Sequence, residues 1–327
     1  MDNYLKEALH DFKKRKILVV GDIILDRFRW GKVRRINPEQ PAAPLVNIYS
    51  ETYVLGGAAN VANNIVSLRA NATLYGILGN DRYAAEIQNH CDEKSILLRG
   101  FYNDKPSIVK ERVMAHGQQM IRLDCGEDDG GGLEKITKEI QDNILQSLEK
   151  EIRNYDLIIL SDYNKFLFNN RFSQSIIALA NSNNLHTIVD PKPDNADFFK
   201  NCTIICPNKD EAEKITGIKY SNGEDILTRI GKSLSQKINA KYVIITCSED
   251  GVFSYHDGNS LFIPTIAKEV ADVTGAGDTF AAALGLGFAS NLNIHNAAKL
   301  ANYAAGVVVE KIGTATPTIE EIEAYLI

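Results

Sequence analysis

The sequence lacks what would tie it to a membrane, a disulfide scaffold or a nucleic acid. No apolar run in its 327 residues approaches the ~18 needed to span a bilayer, and residues 1–16 are charged and polar with no signal-peptide core. A cytoplasmic protein is expected. Cysteines number only five, an odd count, scattered at Cys91, Cys125, Cys202, Cys206 and Cys247 with no C-x-x-C pair and no histidine placed to complete a metal site. That argues against a disulfide framework and against zinc, and leaves reduced, mostly buried thiols. A basic excess is also missing: the net charge is -6, so a general nucleic-acid binder is excluded. Local Lys and Arg still admit anionic substrates.

What is present is an ordinary globular composition, 44% hydrophobic and 24% charged, sufficient for a sizeable core. Single cores stop growing near about 250–300 residues, so a main domain with an appendage is expected. Residues 16–22 form an apolar run ending in Gly21-Asp22, which reads as a buried central strand. Further strands are expected at 73–79, 157–162, 187–190, 203–206 and 242–246, with helices at 81–91, 134–151 and 171–180 between them. This is the βαβ rhythm of a doubly wound, mostly parallel sheet with helices on both faces. An antiparallel tail at 252–255 and 261–264 and helices at 294–310 and 319–325 complete it.

Two stretches break the rhythm. Residues 28–53 carry prolines at 38, 41 and 44, which favour an extended chain and cannot sit in a central strand. Residues 107–115 and 119–124 flank His116-Gly117-Gln118, a hairpin signal. Together they predict a small β-sheet lid, discontinuous in sequence at about 28–53 and 105–125.

The chemistry concentrates in Asp272-Val273-Thr274-Gly275-Ala276-Gly277-Asp278-Thr279-Phe280 and the small-residue run that follows. Backbone amides of Gly275, Ala276 and Gly277 can converge on an anion at a helix mouth, where the dipole adds to the pull. Asp278 beside such a site is either a plain helix cap or a general base for an attacking hydroxyl. Asp22 and Asp26 are candidates for sugar hydroxyls or for turn caps. Gly56-Gly57-Ala58-Ala59-Asn60 opens a helix on two glycines, which permits close backbone approach to a ligand and puts the Asn60 amide in the first turn; a glycine-rich turn before a core helix is the plainer alternative. Lys110 and Arg112 alternate onto one face of the hairpin, either to grip a substrate phosphate or as solvated charge.

Asp22, Asp162, Asp190 and Asn208 all stand at strand ends, a polar rim suited to hydroxyls and magnesium. Lys192 is set at a fixed place by the prolines at 191 and 193. Asn208-Lys209-Asp210-Glu211 opens a helix, where Glu211 can hold magnesium through water or simply favour the N-terminus. Thr246, Ser248 and Gly251 form a turn able to face a nucleotide. Ile230-Gly231-Lys232-Ser233 has the letters of a P-loop ending, but Ile226 stands where the first glycine belongs and no strand precedes it, so it reads as surface helix.

The two glycine signatures, 56–60 and 272–278, resemble those of the ribokinase-like (PfkB) family of sugar and nucleoside kinases, in the right order and over essentially the whole chain. Residues 34–44, 107–115, 121–124, 160–165 and 190–193 look like the D-glycero-β-D-manno-heptose 7-phosphate kinase branch. The resemblance implies a ribokinase-like kinase domain over 1–327, with a lid that often pairs with a second subunit. It implies transfer of the ATP γ-phosphate, with Mg2+, to the anomeric hydroxyl of heptose 7-phosphate, on the way to ADP-heptose for lipopolysaccharide core; a monovalent cation stays open. Related bifunctional proteins continue into a nucleotidyltransferase domain, so that step is expected of a separate protein. Phe166 follows Lys165 where the branch often has glycine, and loop 127–132 is unusually glycine-rich.

On this account Asp278 is the base and the amides of Gly275 to Gly277 form the anion hole. Asp22, Gly56, Gly57 and Asn60 hold sugar hydroxyls, Lys110 and Arg112 the 7-phosphate, and Asn208, Lys209, Asp210, Glu211, Thr246, Ser248 and Gly251 line the nucleotide and magnesium side. Another kinase of the same fold, or a non-catalytic sugar-phosphate sensor, are the rival readings.

Overall fold

The computed structural model describes residues 3–35, 37–40, 42–126, 133–220, 223–267 and 269–326. Loop 127–132, singled out in the sequence, lies outside them, as do Ile36 and Pro41. The chain opens with α1 (Asn3–Asp11), β1 (Lys16–Gly21), β2 (Ile23–Val33) and β3 (Val46–Gly57). There follow α2 (Ala58–Ser67), β4 (Asn71–Gly79), α3 (Arg82–Glu93), β5 (Leu97–Asn103), β6 (Ile108–Ala115) and β7 (Gln118–Cys125). Next come α4 (Leu133–Glu151), β8 (Leu157–Ser161), α5 (Asn170–Ser182), β9 (His186–Asp190), β10 (Ile204–Ile205), α6 (Lys209–Thr216) and α7 (Glu224–Ile238). The chain closes with β11 (Tyr242–Thr246), β12 (Gly251–His256), β13 (Asn259–Pro264), α8 (Ala276–Ala289), α9 (Ile294–Val309) and α10 (Ile319–Glu323).

Among the described residues nine strands form one sheet in the order β13-β12-β11-β10-β9-β8-β1-β4-β5, parallel except for the β12–β13 tail. Its central strands are apolar without interruption because both faces are covered. In β1, Ile17 and Val19 enter the core beneath α2, α8 and α9, whereas Leu18 and Val20 enter the one beneath α4, α5 and α7. The same alternation divides β8, with Leu157 and Ile159 on one side and Ile158 and Leu160 on the other. Helix α8 is buried on nearly every side from Asp278 to Gly287, which explains a sequence of small and apolar residues with no polar stripe.

A second sheet has the order β3-β2-β6-β7. Its strands take in residues 23–33 and 46–57, more than the 28–53 excursion expected, because β2 starts one residue beyond β1 and only Asp22 separates the two sheets. The hairpin around His116 is present as β6 and β7. Arg27 ties this sheet down: it is buried against Glu111 and Glu51, and its Nη1 donates to the Tyr83 hydroxyl on α3 at 3.1 Å. Two elements were not foreseen. Helix α1 buries Leu5, Ala8 and Leu9 within a charged stretch. Strand β5 is an edge strand on which Leu97 and Tyr102 are exposed. No helix among the described residues is long and apolar enough to cross a membrane.

Candidate active site

Strands β1, β8, β9 and β10 are neighbours and run parallel, so Asp22, Asp162, Asp190 and Asn208 gather at their carboxyl edge. Two of these carboxylates are spent on loops. Asp22 Oδ2 accepts the backbone N–H groups of Tyr163 (2.8 Å) and Lys165 (3.2 Å). Asp162 accepts from the amides of Asn164 and Lys192 and from the Asn195 side chain. Burial and the charge of Asp162 push Asp22 up to about 7, against the loop amides that favour its ionised form. Asp190 goes further, to about 8, through burial and the charge of Glu211, with Lys192 opposing.

Asp278 sits in the first turn of α8, buried. Its Oδ2 accepts from Asn60 Nδ2 and its Oδ1 from the Tyr163 hydroxyl, each at 2.7 Å. Behind Asn60 the polar chain continues: Asn64 Nδ2 donates to the Asn60 carbonyl at 2.9 Å, and Thr279 Oγ1 donates to Asn64 Oδ1 at 2.7 Å. Burial raises Asp278 to about 6, Asn60 and Tyr163 hold it down, the Asp26 charge raises it and Lys192 lowers it. A carboxylate so placed is poised to accept a proton near neutral pH.

The loop before α8 is pinned by Asp272, which accepts from Thr274 and from the Gly313 amide. Gly275 has φ +80, and a Cβ there would lie 2.9 Å from Asn60 Nδ2, so glycine is required both for the backbone and to admit the Asn60 amide that donates to Asp278. Of the three amides expected to converge on an anion, one is engaged within the loop. The Ala276 amide already donates to the Val273 carbonyl at 3.2 Å. Gly277 and Asp278, as second and third residues of the helix, carry N–H groups without an intrahelical acceptor. The amides left to an anion at this helix mouth are thus those of Gly277 and Asp278, and a Cβ at Gly277 would meet open space among the described residues.

Facing the helix mouth is the second sheet. In β2 and β6, Asp26 pairs with Lys110 and Phe28 with Arg112, so alternate side chains share one face. Arg112 donates to Asp26 Oδ1 and lies 5.3 Å over the Phe28 ring. The Lys110 ammonium lies 5.6 Å over the Tyr163 ring, and burial holds its pKa below the usual lysine value, with Asp26 opposing. A Cβ on Gly56 would come within 2.5 Å of Asp26 Oδ2, and one on Gly57 within 2.5 Å of the Asp22 carbonyl. The two glycines thus serve the close approach of β3 to β2. Asp26, rather than Asp22, is the carboxylate this geometry sets beside Lys110, Arg112 and Asp278.

On the other side of the edge, Asn208 caps α6 and forms a reciprocal capping box with Glu211. Glu211 Oε2 accepts the Asn208 amide at 3.0 Å and Oε1 accepts from Lys192 Nζ, so its carboxylate is engaged at both oxygens. Asp210 shares that first turn. Lys209 reaches Asp250 (3.5 Å) and the Tyr220 ring (4.7 Å). Thr246 ends β11 with its amide on the Pro207 carbonyl, and Ser248 follows in a tight turn at φ +53. Gly251 is glycine because β13 crowds it: a Cβ would lie 2.1 Å from the Ile263 carbonyl. Among the described residues no group of three or more His, Cys, Asp or Glu is gathered to hold a metal ion.

Sequence reasoning gave no role to Tyr163 and named Lys192 without assigning it. Both belong to this cluster, with Lys192 Nζ 5.4 Å from the Tyr163 ring centre. The available signal was position, since each lies one or two residues beyond a strand-end aspartate.

Comparison with known proteins shows which family the chain belongs to. The chain is 38% identical over 315 residues to bifunctional protein HldE of Aliarcobacter butzleri, covering 96% of this chain and 64% of that protein. It is 39% identical over 312 residues to bifunctional protein HldE of a Nitratiruptor species, covering 95% and 65%. The chain thus spans just under two thirds of the length of these curated relatives. Phosphofructokinase-2 from Escherichia coli in complex with potassium shares the fold at TM-score 0.77 and 15% identity, covering 95% of this chain and 99% of that one. Arabidopsis thaliana ribokinase complexed with ribose and ATP does so at 0.70 and 19%, covering 95% and 98%. Residues 14–321 match the description of the pfkB family of carbohydrate kinases, and the chain belongs to that family of ATP-dependent phosphotransferases.

Proposed function

We propose that the chain transfers the ATP γ-phosphoryl group to the anomeric (C1) hydroxyl of D-glycero-β-D-manno-heptose 7-phosphate. The product is the 1,7-bisphosphate, on the way to ADP-heptose and lipopolysaccharide core. The observation that carries the reaction type is the buried Asp278 carboxylate, held by Asn60 and Tyr163 at a helix mouth with open amides. In this reading Asp278 takes the proton of the attacking hydroxyl, and the amides of Gly277 and Asp278 meet charge on the transferring phosphoryl. Asp26, Asn60 and the backbone at Gly56 and Gly57 line the sugar, and Asp22 braces the Tyr163 loop.

The choice of sugar rests on the resemblance of residues 107–115, 121–124, 160–165 and 190–193, and on a basic pair facing the base. Lys110 and Arg112 receive the 7-phosphate; Arg112 has five donors and spends one on Asp26 Oδ1. The smaller sheet acts as the lid, and its exposed Ile121 and Leu123 on β7 are the surface for a second copy of the chain. Asn208, Thr246, Ser248 and Gly251 line the nucleotide, with Lys209 and Asp210 at its margin.

Magnesium binds largely through water and substrate phosphates with one or two carboxylates, and Glu211, whose oxygens are engaged by the Asn208 amide and Lys192, holds it through water beside ATP. When bound it neutralises phosphate charge. A monovalent cation beside the anion hole is part of the proposal, with the buried Thr314 Oγ1 next to Gly275 as a side-chain oxygen open to it. The work is assigned to the cytoplasm, and a nucleotidyl transfer at a second active site consumes the product.

The test is ADP release with magnesium-ATP, offering heptose 7-phosphate beside unphosphorylated heptose, fructose 6-phosphate and ribose. Turnover confined to heptose 7-phosphate and lost in Asp278→Asn is expected. Turnover on ribose or a free hexose instead overturns the sugar and keeps the chemistry, and no turnover on any acceptor favours a sensor.

A further inference from the structure

We propose that Tyr163 is a positioning residue: its hydroxyl, bonded to Asp278 Oδ1, sets the plane of that carboxylate and keeps it ionised to receive the acceptor's proton. The inference rests on the reading of Asp278 as the base and adds a residue to its machinery.

Each carboxylate oxygen has two lone-pair sites. Asn60, from α2, takes one on Oδ2, and Tyr163, from the loop after β8, takes one on Oδ1, both at 2.7 Å. Two donors arriving from different elements fix the rotation of the group, and among the described residues no donor takes the second site on Oδ1, which is left for a sugar hydroxyl. Tyr163 is itself anchored. Its backbone N–H donates to Asp22 Oδ2 at 2.8 Å. Its ring has the Lys110 ammonium at 5.6 Å, from the smaller sheet, and the Lys192 ammonium at 5.4 Å, from the end of β9. Both distances are within cation–π reach, so swinging the ring away forfeits two contacts as well as the hydrogen bond.

The groups that face Asp278 are Asn60 from α2, Tyr163, Asp26 from β2, and Asp190 and Lys192 around the end of β9. Burial and Asp26 favour the neutral acid, while Asn60, Tyr163 and Lys192 favour the carboxylate. Burial and the Asp278 charge hold the Tyr163 phenol well above its ordinary value, so it remains a donor wherever Asp278 is ionised. Removing that one donor moves Asp278 toward the neutral form. A hydrogen bond to a charged group corresponds to about one to two pH units.

The experiment uses the full chain labelled with ¹³C at the aspartate carboxyl, titrated by NMR beside Tyr163→Phe. The resonance missing from Asp278→Asn identifies the group. Tyr163→Phe keeps the ring and both lysine contacts and removes only the hydroxyl. The expected result is an Asp278 titration about one to two units higher in the variant, with the acid limb of the kcat/KM profile moving the same way. An unchanged titration overturns the proposal, and so does a kcat/KM loss that is uniform across pH. The kinase reading is scored separately by ADP release from the unmodified protein: failure there leaves the NMR titration untouched.

Discussion

Replacing Asp278 by asparagine should change activity and stability in ways that can be separated. For activity, loss of a general base costs about 10² to 10⁴ in rate. For stability the argument runs through the titration. Burial lifts the folded-state pKa from its ordinary 3.8 to about 6, roughly two units at ~1.4 kcal/mol each, or ~3 kcal/mol. Because the folded value is raised, this contribution is fully present below about pH 4 and is lost as pH rises through 6. Asparagine does not titrate. It does present an amide where Asn60 or Tyr163 expects an acceptor, but that penalty is the same at every pH. The stability of Asp278→Asn relative to the unmodified protein should therefore climb by ~3 kcal/mol between pH 4 and pH 8, whatever its starting offset. At ~2.1 cal/mol/K per residue, that is a relative Tm gain of about 4 °C for a chain of this length. Ligand-free thermal unfolding of both proteins, side by side across that range, measures it. A difference that is flat with pH, or that falls as pH rises, would refute the electrostatic reading of the site even if activity were lost.

Gly275→Ala puts a Cβ 2.9 Å from Asn60 Nδ2 at φ +80, so a backbone cost of about 1–2 kcal/mol should appear in urea unfolding together with a fall in kcat. Unchanged kcat in the destabilised variant would show that Asn60 yields without disturbing Asp278. Phe166 has φ +72, a conformation glycine adopts freely. Phe166→Gly should then be more stable than Phe166→Ala by about 0.5–1 kcal/mol, since the left-handed penalty of about 1–2 kcal/mol exceeds glycine's extra unfolded-state entropy of about 0.4–1. The usual order, alanine above glycine, would show that the loop relaxes.

Patterns with a strong period were legible. The apolar runs of β1 and β8 announced strands buried on both faces, and the hairpin around His116 announced two strands of the smaller sheet. Helix α1 escaped because three buried residues in a short, mostly polar segment are a faint stripe, and β5 because an edge strand leaves apolar side chains exposed. Side-chain roles were harder to read than elements. Sequence marks Asp22 and Asp26 alike as acids after an apolar run; only the fold shows that Asp22 turns to the amides of Tyr163 and Lys165 while Asp26 turns to Arg112. Glycine likewise does not declare whether it makes room for a ligand or for its own chain, and at Gly56 and Gly251 the chain is what crowds it. Tyr163 was invisible for a related reason, because a tyrosine becomes informative only when its hydroxyl is seen to land on Asp278.

The alternation along β6 carries a consequence for how such a protein diversifies. Val109, Glu111 and Val113 are buried on the far face, whereas Lys110 and Arg112 look toward the helix mouth. Asp278 and its amides belong to another element, packed into a different layer of the molecule. Mutation can rewrite the two outward letters of one strand without touching the core beneath them, but Lys110 lies against the Tyr163 ring, whose hydroxyl reaches Asp278, so a change there is felt at that carboxylate. On the proposed roles, choice of acceptor and competence for transfer are coupled through that one contact, so a lineage that samples new sugars must re-seat Tyr163 as it does so.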